Sequence, residues 1–177
     1  CSSSPMLRHI MMGSRMIATH GYARKLQKSV VIAHPVDVVV GVVSNVSEFP
    51  RFLPFCYQSA VVEDSIKSDQ HMELFDCVLG FRHMNVEERI KHRVRVDKSS
   101  RRVQARANDS VHFHSIQYDW TFDQIEDNIS KASLDLHLDM KSMLHAMTFD
   151  VMRESIEMKV FEAFMKRVDE VSTTTKP

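Results

Sequence analysis

The stretch VEERIKHRVRV, residues 86–96, changes character at every second residue. Val86, Ile90, Val94 and Val96 share one face with Glu88 and His92, while Glu87, Arg89, Lys91, Arg93 and Arg95 share the other. A strand with one charged face and one largely apolar face belongs to an antiparallel sheet covered on one side only. The alternation continues in ASLDLHLDM, residues 132–140. There Ala132, Leu134, Leu136, Leu138 and Met140 oppose Ser133, Asp135, His137 and Asp139. Between residues 58 and 140 the turn signals EDSIKSD, DKSSRR and EDNISK divide the chain into about six strands.

What covers the sheet lies at the end of the chain. Residues 143 to about 171 contain no Gly or Pro and carry Phe149, Met152, Ile156, Val160, Phe164, Val168 and Val171 at spacings of three and four. That pattern predicts an amphipathic helix about 40 Å long, enough to cross a curved sheet. Before the strands, KLQKSVVIA (25–33) reads as a further strand. HPVDVVVGVVSN then reads as a short valine helix with Pro35 in its first turn.

The ends are set apart by composition. The sequence has 23 Lys and Arg against 23 Asp and Glu, yet five basic residues and no acidic one precede Asp37. The Arg-bearing, Ser- and Met-rich residues 1–24 are therefore expected to be a disordered mitochondrial targeting leader. Residues 25–171 are expected to form the domain, and 172–177 a polar tail. The remaining 18 basic residues face 23 acidic ones, without the basic stripe that backbone-driven nucleic-acid binding uses, so no nucleic-acid partner is expected.

The sequence is thin in catalytic signals. It has no Gly-rich phosphate loop, no GxSxG and no HExxH, and no enzymatic activity is expected. His112 and His114 have strand-face ligand spacing but no evident third ligand. Cys1, Cys56 and Cys77 fit no metal spacing, and Cys56 reads as a packing residue. Neither a catalytic metal nor a cofactor is expected. Glu88 and His92 on the inward face must be hydrogen-bonded or border a cavity. They read either as a polar patch for a ligand head group or as a structural pair.

SEFPRFLPFCYQS, residues 47–59, crowds Phe49, Phe52, Leu53, Phe55 and Cys56 around Pro50 and Pro54. With VVSNVSEFPRFLPFC (42–56), LGFRHMNVEERI (79–90), FHSIQYDWTF (113–122) and FDVMRESIEMKVFEAFMKR (149–167), it carries a resemblance. In order and spacing these stretches resemble the coenzyme Q-binding, START-like proteins of the polyketide cyclase and lipid-transport superfamily. Ile90 and His92 depart from that pattern, Ile90 replacing an aromatic residue and His92 a small polar one.

The resemblance implies an α+β helix-grip fold, in which about seven antiparallel strands curve around the terminal helix and leave a tunnel. It implies ubiquinone, or a late polyprenyl-quinone intermediate, as bound ligand. The residues expected against it are Phe49, Phe52, Leu53 and Phe55 in the kinked segment and Phe149, Met152 and Ile156 on the helix. Phe81, Glu88, His92, Trp120, Phe122 and Met140 are expected to join them from the sheet. Phe52 and Phe55 are expected to form a membrane-touching gate, with Phe49, Leu53 and Cys56 packed beneath. Other implied partners are the matrix side of the mitochondrial inner membrane, contacted peripherally and transiently, and enzymes of ubiquinone biosynthesis. The same fold also admits a cyclase or hydratase using Glu88 and His92, and a ribosome-associating protein.

Overall fold

The computed structural model describes residues 10–18, 22–83 and 86–174. In chain order the strands are β1 (Ile10–Ala18), β2 (Ala23–Ile32), β3 (Cys56–Val61), β4 (Lys67–Ser68) and β5 (Met72–His83). They continue as β6 (Val86–Asp97), β7 (Arg102–Asn108), β8 (Phe113–Glu126) and β9 (Ile129–Met140). The helices are α1 (Val36–Ser44), the single-turn α2 (Phe49–Phe52) and α3 (Met143–Thr174). All nine strands join one antiparallel sheet in the order β1-β2-β9-β8-β7-β6-β5-β3, with β4 on β5. This is the α+β sheet-and-helix arrangement read from the alternation.

Register places the inward residues in rows across the strands. One row runs Leu26, Leu136, Tyr118, Ala105, Val94, Phe75, and the next Lys28, Leu134, Trp120, Val103, Val96. α3 crosses this face, its 32 residues spanning about 48 Å. Its C-terminal half is clamped to the sheet by aromatic edges. Phe164 lies 5.7 Å from Phe49, 5.4 Å from Phe52 and 5.7 Å from Trp120, and Phe161 lies 5.6 Å from Trp120. α1 packs on the same end through buried Val36, Val39, Val42 and Val43. The Val36 amide donates to Gln124 Oε1 at 3.1 Å, satisfying one of the free N–H groups at the helix start.

Within residues 1–24, Ile10–Ala18 form β1, which pairs with β2 from Ile10 opposite Val31 to Ala18 opposite Arg24. Without that strand β2 would expose a row of unpaired backbone groups at the sheet edge. Residues 1–9 and 19–21 lie outside the described residues, as do 175–177. Helix α3 continues through Thr174, into the first of the polar residues that close the chain. The expected antiparallel sheet of about seven strands is present, with nine strands when β1 and the two-residue β4 are included.

Because the aromatic cluster is the main anchor of α3, Phe164→Ala is expected to lower folding stability by about 3–5 kcal/mol. It should appear as a lower urea midpoint at unchanged m-value; a change under 1 kcal/mol would contradict this role for the cluster.

Candidate functional site

The two halves of α3 meet the sheet differently. In the C-terminal half, Phe161, Phe164, Met165 and Val168 are buried. In the N-terminal half, the inward Phe149, Met152 and Ile156 are only half-buried, while the small Ala146 is buried. Facing them, Phe81, Ala105, Tyr118 and Leu136 point inward from the sheet and are also half-buried. Apolar side chains that face the interior yet keep solvent exposure border an open space, here between the sheet and the first turns of α3. Two apolar clusters adjoin it. One is built on Trp120, Phe161 and Phe164 and the other on Ile90, Ile116, Leu138 and Met140, with Phe81, Tyr118 and Leu136 touching both.

The residues proposed from sequence divide accordingly. Phe81, Phe149, Met152 and Ile156 border the open space. Phe49, Trp120, Phe122 and Met140 are packed into the clusters, Met140 at 1% exposure. The kinked segment sits at the clamped end. Phe52 is held between Phe49 and Phe164 with the Arg167 guanidinium over its ring, and Leu53 is half-buried. Pro50 lies in the first turn of α2 and Pro54 just beyond it. Phe55 turns the chain into β3 at φ 70°, its carbonyl accepting the Arg82 amide at 2.7 Å, with Lys159 Nζ 5.8 Å from its ring centroid. As expected, Phe49 and Cys56 are buried.

Several of the large exposed apolar side chains lie along the N-terminal half of α3 and beside its start. Leu144, Met147, Val151 and Met158 follow one face of α3, with Met143 and Val111 close to its start, and Val151 is 86% exposed. The loop between β7 and β8 is tied to this end of the helix. Lys141 Nζ binds Asp109 at 2.6 Å, the Lys141 amide donates to the His112 carbonyl at 2.9 Å, and the rings of His112 and His145 lie 4.6 Å apart.

Glu88 and His92 are both buried but do not form a pair. Glu88 Oε1 accepts the backbone amides of Val111 and His112, which makes Glu88 the anchor of the β7–β8 loop. His92 is closed to solvent, its Nδ1 is 3.0 Å from the Ile90 carbonyl oxygen, and its Nε2 has no hydrogen-bond partner among the described residues. The acid–base pair that a cyclase would need from these two residues is therefore not assembled. Burial lowers the His92 pKa to about 4 and raises the Tyr118 phenol to about 12.

Polar side chains of β2, and His34 just beyond it, join this edge of the sheet to α3 in a way the sequence did not disclose. Arg24 binds Asp150 at 2.8 Å, Lys28 lies 3.6 Å from Glu157, and His34 binds Asp169 at 2.7 Å. Arg153 lies 3.5 Å from Glu157 and 4.0 Å from Glu154. Lys28 and Glu157 are each 8% exposed, and the Lys28 ammonium also lies 4.8 Å from the Phe161 ring centroid. Inward Lys28 could have been found from its even-numbered place among Leu26, Val30 and Ile32. Its partner, 129 positions away, could not.

The outer face has a different character. A groove of about 500 Å³ is lined by Lys91, Arg93, Arg95 and Arg106 around Asp76. Lys91 and Arg93 both pair with that carboxylate, and their hydrogen bonds, Arg93's foremost, hold it below the usual carboxylate range. Pairing across β6 and β7 thus gathers a local basic patch that overall composition concealed. Among the described residues no three His, Cys, Asp or Glu side chains are arranged to hold a metal. No described helix is long and apolar enough to cross a membrane.

Residues 32–165 match the family described as polyketide cyclase / dehydrase and lipid transport. The chain is 25% identical to the mitochondrial coenzyme Q-binding protein coq10 of Schizosaccharomyces pombe over 125 residues, 71% of this chain and 74% of that one. Its fold is similar to that of the ZhuI aromatase/cyclase from Streptomyces sp. R1128, with TM-score 0.70 and 12% identity over 83% of this chain and 94% of that one. It is also similar to a START superfamily protein from Mycobacterium smegmatis, with TM-score 0.67 and 15% identity over 83% and 98% of the two chains.

The buried imidazole makes stability depend on acidity. The unfolded chain takes up a proton near the ordinary histidine value of 6.5, the folded chain only near 4. Stability is therefore full above pH 6.5 and falls as pH drops towards 4, by about 3 kcal/mol at most from this residue. Chemical denaturation across that window should show a decline that is smaller by this amount in His92→Phe; parallel profiles for the two proteins would refute it.

Proposed function

The chain belongs to the polyketide cyclase / dehydrase and lipid transport family, and from that premise we propose that it binds coenzyme Q or a late polyprenyl-quinone intermediate. The ligand is held between the sheet and the N-terminal half of α3 and delivered for respiratory electron transport or ubiquinone biosynthesis. The observation that carries this reading is the half-buried apolar lining, Phe149, Met152 and Ile156 opposite Tyr118 and Leu136. Such a lining with few polar groups suits an isoprenoid chain, and methionine adapts to irregular apolar shapes. The similarity to a coenzyme Q-binding protein supports the quinone, and that relative's mitochondrial designation supports a mitochondrial location. The expected site on the matrix side of the inner membrane and the biosynthetic enzymes as partners belong to the same proposal.

Burying each methylene of a polyprenyl tail is worth about 0.8 kcal/mol relative to water, but a bilayer offers nearly the same. Exchange between bilayer and protein is thus close to neutral for the tail, and the protein needs contact with the membrane more than high affinity. The exposed apolar stripe Leu144, Met147 and Val151 beside Val111 suits that contact. It lies at the open end of the interior, where Phe52 and Phe55 do not.

Full-length protein purified without detergent and extracted with organic solvent should yield a quinone or isoprenoid by mass and by its oxidised-minus-reduced ultraviolet spectrum. Repeated preparations with none would sink the reading. Replacing Met152 and Ile156 together by Glu should cut quinone loading at least tenfold. Leu144→Asp combined with Val151→Asp should instead slow transfer between vesicles at least fivefold while loaded-ligand affinity stays within twofold. Unaltered transfer would remove the stripe from the proposal.

A further inference from the structure

His92 is a polar residue with half of its hydrogen-bonding capacity unused. A carbonyl oxygen can only accept, so the 3.0 Å contact between Nδ1 and the Ile90 carbonyl fixes the ring hydrogen on Nδ1. The neutral ring then presents Nε2 as a bare lone pair. That atom is buried and has no partner among the described residues. A buried acceptor left unpaired costs free energy and calls for an explanation. Its surroundings supply one. His92 lies between Ile90 and Val94 on the inner face, where the two apolar clusters divide. Its ring centroid is 5.9 Å from that of Tyr118, which borders the open space.

We propose that this acceptor selects the reduced, hydroquinone form of the ligand. His92 Nε2 accepts a hydrogen bond from a phenolic hydroxyl, whereas a quinone carbonyl, also only an acceptor, meets a lone pair with nothing to donate. The inference rests on the quinone-binding reading above and adds a preference for oxidation state to it. His92 is closed to bulk solvent without ligand, so the bond forms once a ring has entered beside Tyr118 and the seam has parted around it. Glu88 does not compete for this role, since its carboxylate is committed to the β7–β8 loop. Discrimination by one buried hydrogen bond is expected to be about tenfold. Preferential binding of the reduced form by that factor raises the midpoint potential of the bound two-electron couple by about 30 mV.

The test uses full-length protein with decyl-ubiquinone and decyl-ubiquinol, each titrated under anaerobic conditions. The expected result is a Kd about tenfold lower for the quinol, with the ratio falling to within twofold in His92→Phe. Equal affinities in the wild-type protein, tighter quinone binding, or a tenfold preference that survives in His92→Phe would each overturn the selection while leaving quinone binding intact. Binding of neither form would overturn the quinone reading and this inference together. A measurement on the wild-type protein stands apart from the folding of any variant. Nitrogen-15 NMR of the ligand-free protein should show His92 protonated on Nδ1, with the Nε2 signal moving when decyl-ubiquinol is added. Protonation on Nε2, or a signal unmoved by bound quinol, would refute the proposal.

Discussion

The contact between Phe164 and its aromatic neighbours sets the geometry of the interior. Phe49 and Phe52 reach it from α2, Trp120 from β8, and Phe161 adds a second ring from one turn earlier in α3. Aromatic pairs in edge-on or tilted packing are favourable beyond the area they bury, and here they draw together helix, kinked segment and sheet. A helix about 48 Å long does not readily follow a twisted sheet closely along its whole length. Tight packing at the C-terminal half of α3 thus accompanies a gap at the other half, and Phe149, Met152 and Ile156 face that gap without being sealed by it.

The polar contacts from β2 and from His34 just beyond it work on the same arrangement. Arg24, Lys28 and His34 meet α3 at Asp150, Glu157 and Asp169, so the pairs run along the helix past the open region. An exposed pair contributes little to stability, and the buried Lys28–Glu157 pair must offset the desolvation of both groups. Their effect is chiefly positional. They hold the helix against β2 at one side, leaving the region beneath Tyr118 and Leu136 unsealed.

The parts of this architecture that were legible in the sequence are those written in local period. Alternation in residues 86–96 and 132–140 gave the inward faces, and three-and-four spacing gave α3. Strand β1 was not legible, because the Met, Arg and Ser of residues 10–18 also compose a targeting leader and pairing with β2 is a long-range fact. The same limit applied to the site. Glu88 and His92 were recognised as polar groups on an apolar face, but neither Glu88's hold on the amides of Val111 and His112 nor His92's on the Ile90 carbonyl follows from spacing. Tyr118 shares the face of Trp120 and Phe122 and was within reach of the alternation, though it was overshadowed by them. The contact of Phe52 with Phe164, more than a hundred residues away, is one that the local sequence could not show.

A carrier exchanging an isoprenoid with a bilayer gains little net free energy from the tail, because both environments are apolar. Adding lining area would strengthen binding to many apolar molecules at once and would slow release. Polar groups behave differently, since a buried lone pair rewards the ligand that satisfies it and penalises one that leaves it bare. One unpartnered acceptor at His92, in a wall made mostly of hydrocarbon, therefore distinguishes among head groups without holding the tail more tightly. An imidazole whose Nδ1 is occupied by the Ile90 carbonyl fixes the direction of the hydrogen bond that its Nε2 can make.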